Sequence, residues 1–545
     1  MEEIVTGAAG MPPDGKKEGK LAKIWHVGSY AFGDALGGGA GMVISTYYMV
    51  FLVFVMKMPP LLAGLIMGLG KIWDGFIDPA MGIMVDRTKS KLGACRPWLI
   101  ASVVPILVAY FFLWYSFGIQ GVAGKFFYFL FAYVFYSTAV SMATVPYEAL
   151  LPRMVDGYHE RTNYSSLRMI FSGLANVGTT YLYDAIIHVT ADNPPSPVFA
   201  HDYMILGIVL GIIFAVPPLV TFLGSREKIR IVPDERLNVR RIFKNYAEVL
   251  KSKIYRKFFF ISTLGAFASY AISSALVVFV LLVYGNLGFK LTLGTFVFPL
   301  TLSFLVINIK GALEIAFFVP NVVLMKKVNK HFPLLIDLPI LALGCAIVLF
   351  VTPSTPLWVY LTGVGFIGAG SSCLAFVANT LMPDMSDVDE LIYGKRREGI
   401  TAGLYSLSRQ VTNGLAMLVF GIVLTVFNLD TETASPELAT NSTLAALKLM
   451  LCVIPMLCGI GMFLISRTYR LNAESHAVIK RRIAERRENG FVIPDAQEIR
   501  MFEKITGFAY SNMWISGAGS AENQALDEYF KESGLTSGEI SDNAV

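Results

Sequence analysis

Charge is what this sequence has least of. Only 16% of its 545 residues are Asp, Glu, Lys or Arg, while 54% are hydrophobic, and the mean hydropathy is +0.58. A soluble domain carries about 25% charged residues, so the shortfall excludes an ordinary globular core. Cysteine is also sparse. Cys95, Cys345, Cys373, Cys452 and Cys458 are scattered, mostly inside apolar runs and without metal-ligand spacing. They read as buried thiols rather than disulfides. No nucleotide loop, nucleophile elbow or metal cluster is found, which leaves an enzyme the least expected class. The first stretch, MEEIVTGAAGMPPDGKKEGK, lacks an apolar segment with a cleavage site. No signal peptide is read there, and the first span is expected to stay in the protein. A net charge of +5 says little by itself, and no nucleic-acid partner is expected.

What fills the sequence instead is long apolar runs such as SVVPILVAYFFLWYSFGI, Ser102 to Ile119. Crossing a bilayer takes about 20 apolar residues in helical form. Inside lipid each backbone polar group must be satisfied within its own helix. Repeated runs therefore predict an all-α membrane protein. Twelve segments fall near 27–56, 60–85, 97–118, 123–150, 164–190, 203–224, 257–285, 292–325, 333–352, 356–382, 400–428 and 442–467. The break at Lys290 to Gly294, KLTLG, is the weakest.

Basic residues orient the chain. Arg87, Lys89, Lys91 and Arg96 follow the second span, eleven more from Arg226 to Lys257 follow the sixth, and Lys395, Arg396 and Arg397 follow the tenth. The opposite connections, HVTADNPPSPVFAHD and LDTETASPELAT, are poor in them. Both termini are therefore expected in the cytoplasm, with the chain in the plasma (inner) membrane. The predicted organisation is a cytoplasmic N-terminal tail (1–26), a six-helix bundle (27–224) and a basic linker (225–256). A second six-helix bundle (257–468) and a cytoplasmic tail (469–545) follow. The tail reads as a short helix, AVIKRRIAERRENG, and a solvated acidic end, with a regulatory or partner-binding role as the alternative.

One internal echo divides the chain. Leu151 to Arg168 (LPRMVDGYHERTNYSSLR) and Met382 to Arg409 both run from a Leu/Met-Pro end through acidic then basic residues to a Tyr-Ser helix start closing on Arg. Either this is chance in a short loop, or a six-helix unit is used twice in parallel orientation. Parallel repeats are an arrangement of two-bundle transporters that bind near the midplane, and Arg168 and Arg409 would then face one cavity.

Ionisable residues inside a membrane need a partner, a wet cavity or a function. Asp34 lies in SYAFGDALGGGAG, where it serves function or close helix packing. Asp74 and Asp78 share one face of KIWDGFIDP at i,i+4. Two such carboxylates want a cation or proton between them, so the pair reads as a site for Na+ or H+, or as a salt bridge to Arg168 or Arg409. Lys310 and Glu314 have opposite signs at the same spacing and read as self-neutralising rather than substrate-binding. Arg409 has no partner in its own helix. Asp184 and His188 lie near a span end and read as solvated. Gly82, Asp86 and Arg87, in GIMVDRTKSK, suit a charge relay that locks helix ends, a gating role.

Together these residues resemble the glycoside–pentoside–hexuronide:cation symporter family, melibiose permease-like, of the major facilitator superfamily. The resemblance covers spans one to five through Phe32 to Asp34, KIWDGFIDPAMG, Cys95 to Trp98, the Pro146 region and the helix start ending in Arg168. It returns at Asp384 to Gly399, DMSDVDELIYGKRREG. It implies twelve transmembrane helices in two six-helix bundles and a cation held by Asp74 and Asp78 with Ser141 as hydroxyl ligand. It further implies that Asp34 and Arg168 contact a sugar. The sequence departs from the pattern at Ile77, where an asparagine cation ligand is expected. It departs again at Thr144 and Glu148, which replace a sugar-contacting Asp and Trp, and at Asn413, which replaces a lysine one turn from Arg409. The lost oxygen ligand at Ile77 tips the coupling ion from Na+ towards H+, and two cavity arginines suit an anionic glycoside such as a glucuronide.

The expected activity is thus cation-coupled symport of a glycoside, hexuronide or related sugar by alternating access. A lysolipid carrier of the same fold, or a non-transporting membrane sensor, is the alternative. No cofactor beyond the coupling ion is expected, the partners are a small sugar and the lipid bilayer, and the chain is expected to be a monomer.

Overall fold

The computed structural model describes residues 20–155, 158–187, 195–227, 239–293, 296–395, 397–429, 440–489, 492 and 494–516. In chain order the first half holds α1 (Lys20–Val50, continued by a π-turn at Phe51–Val55), α2 (Pro60–Arg87), α3 (Arg96–Trp114), α4 (Val122–Met154), α5 (Tyr158–Ile187) and α6 (Ala200–Gly224). A linker helix α7 (Val239–Val249) leads to α8 (Lys253–Tyr284), β1 (Gly288–Leu293), β2 (Phe296–Thr301), α9 (Leu302–Ala316) and α10 (Phe318–Lys327). Then come α11 (Pro333–Leu349), α12 (Leu357–Tyr393), α13 (Glu398–Val426), α14 (Asn441–Lys448), α15 (Ile454–Arg467), α16 (Ala473–Asn489) and α17 (Ala496–Thr506).

Among the described residues, ten helical stretches are long and apolar enough to cross a membrane. The shorter apolar helix α11 and the more polar α5 complete twelve. The spans are all-α, as the apolar runs predict, but the weak break at 290 is a β-hairpin. It pairs antiparallel from Gly288 opposite Thr301 to Leu293 opposite Phe296. The segment FVFPLT is aromatic and β-branched, which favours a strand, and the helix expected from 292 starts only at Leu302. Thr301 caps it, its hydroxyl accepting from the Phe304 amide at 3.3 Å.

Close backbone approach decides how the helices pack. A Cβ at Gly38 would stand 2.3 Å from the Ser172 carbonyl oxygen, so glycine lets α1 lie directly on α5. On α2 and α13, Gly68 and Gly414 face each other in the same way, as do Gly64 and Gly421, and a Cβ at Gly421 would stand 2.5 Å from the Pro60 carbonyl oxygen. The α2–α13 contact joins the two halves. It lies towards the end remote from the basic connections, because α2 starts there and α13 finishes there. Asn308 on α9 donates to the Thr180 hydroxyl of α5 at 3.3 Å near the same end. Asp184 is not solvated: it is buried, and accepts from the Thr301 amide at 3.1 Å and hydroxyl at 2.6 Å. His188 lies outside the described residues.

The acidic run Asp384–Glu390 is not a loop. It extends α12 by three turns, and the chain leaves the helix at Gly394 with φ +68°. Its carboxylates are buried and each meets a basic side chain. Lys330 holds Asp384 at 2.6 Å, His476 holds Asp387 at 2.9 Å, Arg397 holds Asp389 at 2.7 Å, and Arg487 holds Glu390. His476 and Arg487 belong to α16, so this part of the tail is docked rather than solvated. Arg482 and Arg481 tie α16 to Glu498 of α17 at 2.7 and 2.9 Å, and Trp514 sits against Gly394 beneath Arg486. All five cysteines are buried and free.

Candidate functional site

Two polar constellations lie side by side in the first half, both touching α4. The first is a pair of carboxylates on α2. Asp74 and Asp78 are one turn apart, and Ser137 and Ser141 are one turn apart on the facing helix α4. Ser141 donates to Asp78 at 2.6 Å, and Ser137 donates to Asp74. The basic partner expected from Arg168 or Arg409 is instead Lys71, three residues earlier on α2, whose ammonium lies 2.8 Å from Asp74. The i,i+3 spacing that places Lys71 there is legible in the same KIWDGFIDP segment, although only Arg168 and Arg409 are expected from the sequence as partners. Asp74 is buried, whereas Asp78 is half-buried.

The second constellation is a cavity of about 270 Å³ walled by the first half, with Asp34, Thr144, Glu148 and Arg168 on its walls and Arg409 of the second half reaching it. Arg168 on α5 points its Nε at Asp34 of α1 across 3.1 Å and reaches towards Glu148 of α4 at 3.7 Å. Its guanidinium lies 5.3 Å from the centre of the Tyr147 ring. Tyr147 in turn stacks on Tyr30 and donates to its carbonyl at 3.0 Å. An aromatic floor under a cation is attractive in a dry site, and neither tyrosine was singled out by sequence reasoning. Thr144 keeps its hydroxyl on the Val140 carbonyl at 3.1 Å. Arg409 enters from α13 and makes no ion pair among the described residues. Asn413 does not line the cavity; it is buried one turn further along α13, with its side-chain carbonyl lacking a hydrogen-bond partner. Lys310 and Glu314 close on each other at 2.7 Å.

A third group sits at the basic end of the first half. Asp86 pairs with Arg153 of α4 at 2.7 Å, and Arg153 lies 3.9 Å from Glu227. Glu227 accepts the backbone amides of Ala94, Cys95 and Arg96 at 2.9, 2.7 and 3.0 Å, capping the start of α3. A carboxylate there also suits the positive end of the helix dipole. Burial, with Glu227 beside it, pushes the Cys95 thiol up to about 12. Gly82 has open space around it and Arg87 is exposed. Of the three residues read as a charge relay, Asp86 alone joins this network; Arg153 and Glu227 supply the rest.

Comparisons with known proteins follow the same line. The model of the MFS/sugar transport protein family matches residues 29–473. An uncharacterized symporter of Synechocystis is 21% identical across 85% of this chain and 97% of its own. Uncharacterized symporter YjmB of Bacillus subtilis is 25% identical across 83% and 93%. Sodium-dependent lysophosphatidylcholine symporter 1-A of Danio rerio is 26% identical, but across only 40% of this chain and 45% of its own. Among solved structures, a bacterial homolog of the human lysosomal transporter Spinster, inward-facing and unoccupied, matches with a TM-score of 0.57 at 13% identity. It covers 85% of this chain and 98% of that one. The nucleoside transporter NupG matches with a TM-score of 0.54 at 13% identity, across 82% and 99%. Such identities show the fold alone. The relatives are symporters and the matched folds are transporters, not enzymes. With most of its length matched, the chain belongs to the MFS/sugar transport protein family and is a multi-pass membrane symporter of that type.

Proposed function

We propose that this chain carries a polar, sugar-like substrate, a glycoside or hexuronide, into the cytoplasm together with a cation, by alternating access in the plasma membrane. The observation that supports it best is the placement of both constellations along α4. Ser137 and Ser141 serve the α2 carboxylates, and Thr144 and Glu148, the next turns of the same helix, face the cavity. A cation bound at Asp74 and Asp78 changes the charge beside α4, and a substrate bound at Asp34 and Arg168 presses on the same helix. Each therefore biases the position the other needs, which is the thermodynamic content of coupling.

In the cavity the Arg168 fork donates to sugar oxygens, or bidentately to a carboxylate, and Asp34 accepts from hydroxyls. Arg409 brings a second cation from the other half, which favours an anionic sugar. Polar contacts between the halves gather at the end remote from the basic connections, while the ion pairs at the basic end stay within one half. With the basic end in the cytoplasm, that arrangement suits a carrier open to the inside. The partners are the substrate, the coupling ion and the bilayer, and the chain acts as a monomer.

The partial likeness to lysophosphatidylcholine symporters favours a second reading, an amphiphile whose headgroup takes Asp34 and Arg168. The polar cavity wall weighs against an acyl chain at that place. Uptake into proteoliposomes, screened across sugars and lysolipids with Na+ and H+ gradients applied separately, separates the two. Asp74→Asn with Asp78→Asn is expected to abolish gradient-driven accumulation; full accumulation in that double variant sinks the coupling role.

A further inference from the structure

We propose that Lys71 is a tethered cation at the α2 carboxylates, and that it closes their site to Na+. The inference rests on the symport reading above and names the ion that this symporter excludes.

Hard cations are held by several oxygen ligands at once. At Asp74 both carboxylate oxygens are already engaged. Lys71 donates to Oδ2 at 2.8 Å, and Ser137 donates to Oδ1. At Asp78 one oxygen takes the Ser141 hydroxyl at 2.6 Å, and the neighbouring position, Ile77, brings no side-chain oxygen. A metal ion lodged between the two carboxylates would therefore lie beside an ammonium in a poorly screened site, and like charges there repel strongly. To bind, it would have to displace Lys71 from its only ion pair among the described residues.

The tether is what makes this displacement unfavourable. Lys71 is on the same helix as Asp74, one turn away, so its effective concentration at the carboxylate is set by helix geometry rather than by the salt in solution. Its side chain is largely buried, so solvent offers the ammonium little compensation for leaving. One ammonium and two carboxylates leave a single negative charge, so the site still needs one positive charge to be neutral. With three of the four carboxylate oxygens already engaged, a proton meets that need more readily than a metal ion that wants several oxygens.

The test uses the full chain, purified and reconstituted. In the wild type, titrating Na+ against choline at constant ionic strength is expected to leave thermal stability unchanged, and a Na+ gradient is expected to drive no uptake. An inward proton gradient serves as the positive control. In Lys71→Ala a saturable Na+ response is expected to appear in stability, with Na+-stimulated uptake beside it. A saturable Na+ stabilisation of the wild type, lost in Asp74→Asn, overturns the proposal, as does Na+-driven uptake by the wild type. A folded Lys71→Ala without any Na+ response also overturns it, and Lys71→Gln repeats that arm with a longer, uncharged side chain if alanine does not fold. If no cation gradient drives wild-type uptake, the symport reading fails instead, while the Na+ titration of stability still decides on Lys71.

Discussion

The two halves of the bundle handle their buried charge in different ways. In the first half, Asp34 and Arg168 meet on the wall of a cavity, and of the α2 carboxylates Asp74 takes the Lys71 ammonium while Asp78 takes only the Ser141 hydroxyl. In the second half most charges are spent on one another. An exception is Asp337 on α11, which is buried and accepts from Asn321 at 2.6 Å and Ser372 at 2.7 Å without an ion pair among the described residues. Lys310 closes on Glu314, and the four acidic residues at the end of α12 are each matched by a lysine, histidine or arginine. A neutralised buried pair adds little net stability, yet losing one partner is costly. An unmatched carboxylate in a membrane, by contrast, has a place for a ligand. Under the proposed symport reading, ion and substrate chemistry falls mainly to the first half, with Arg409 as the second half's contribution.

That contrast can be broken by substitution. The largest effect is expected at Arg168→Ala, which strands Asp34; truncating one partner of a buried charge pair costs about 2–5 kcal/mol. Substrate binding measured by calorimetry should then be lost, and retained affinity would remove the pair from the site. Gly421→Leu comes next. Its side chain has no room against Pro60, and overpacking costs about 1–3 kcal/mol, so α2 should part from α13, with uptake falling more than the Tm. An unchanged uptake rate would show that the halves need not meet there.

Lys310→Met alone is expected to harm expression and stability more than Lys310→Met combined with Glu314→Met, since the double variant leaves no stranded charge. If the double variant loses all uptake while still folded, the second half holds chemistry too and the contrast fails. The smallest effect belongs to Trp514→Ala. It removes the tail's cover over Gly394, and is expected to lower the Tm while substrate affinity stays as in the wild type. A change in affinity there would link the docked tail to the cavity.

Much of the fold was readable from residue order because the bilayer imposes a length on each apolar run. The runs failed where they had no authority. The hairpin at Gly288–Thr301 interrupts an apolar stretch because its residues prefer a strand, and hydropathy does not distinguish the two. The acidic end of α12 looked like a loop, since nothing in a linear pattern shows that α16 returns to neutralise it. At the site, Asp34, Asp74, Asp78 and Arg168 stood out because charge is rare in such segments. Tyr30, Tyr147, Ser137 and Glu227 did not, because aromatic and hydroxyl side chains are common in membrane helices and a linker glutamate is ordinary.

Low charge and long apolar runs thus determined, without any structure, a helical membrane protein and the places where its few intramembrane charges must matter. Which charges would meet was decided only by the tertiary structure. Arg168 found Asp34 and not the α2 carboxylates, Lys71 found Asp74, and Asp184 found the hairpin. In a medium that cannot solvate a lone ion, the partner is whichever opposite group the helix packing brings within reach. Glycine-to-glycine contacts between helices far apart in the sequence set that packing.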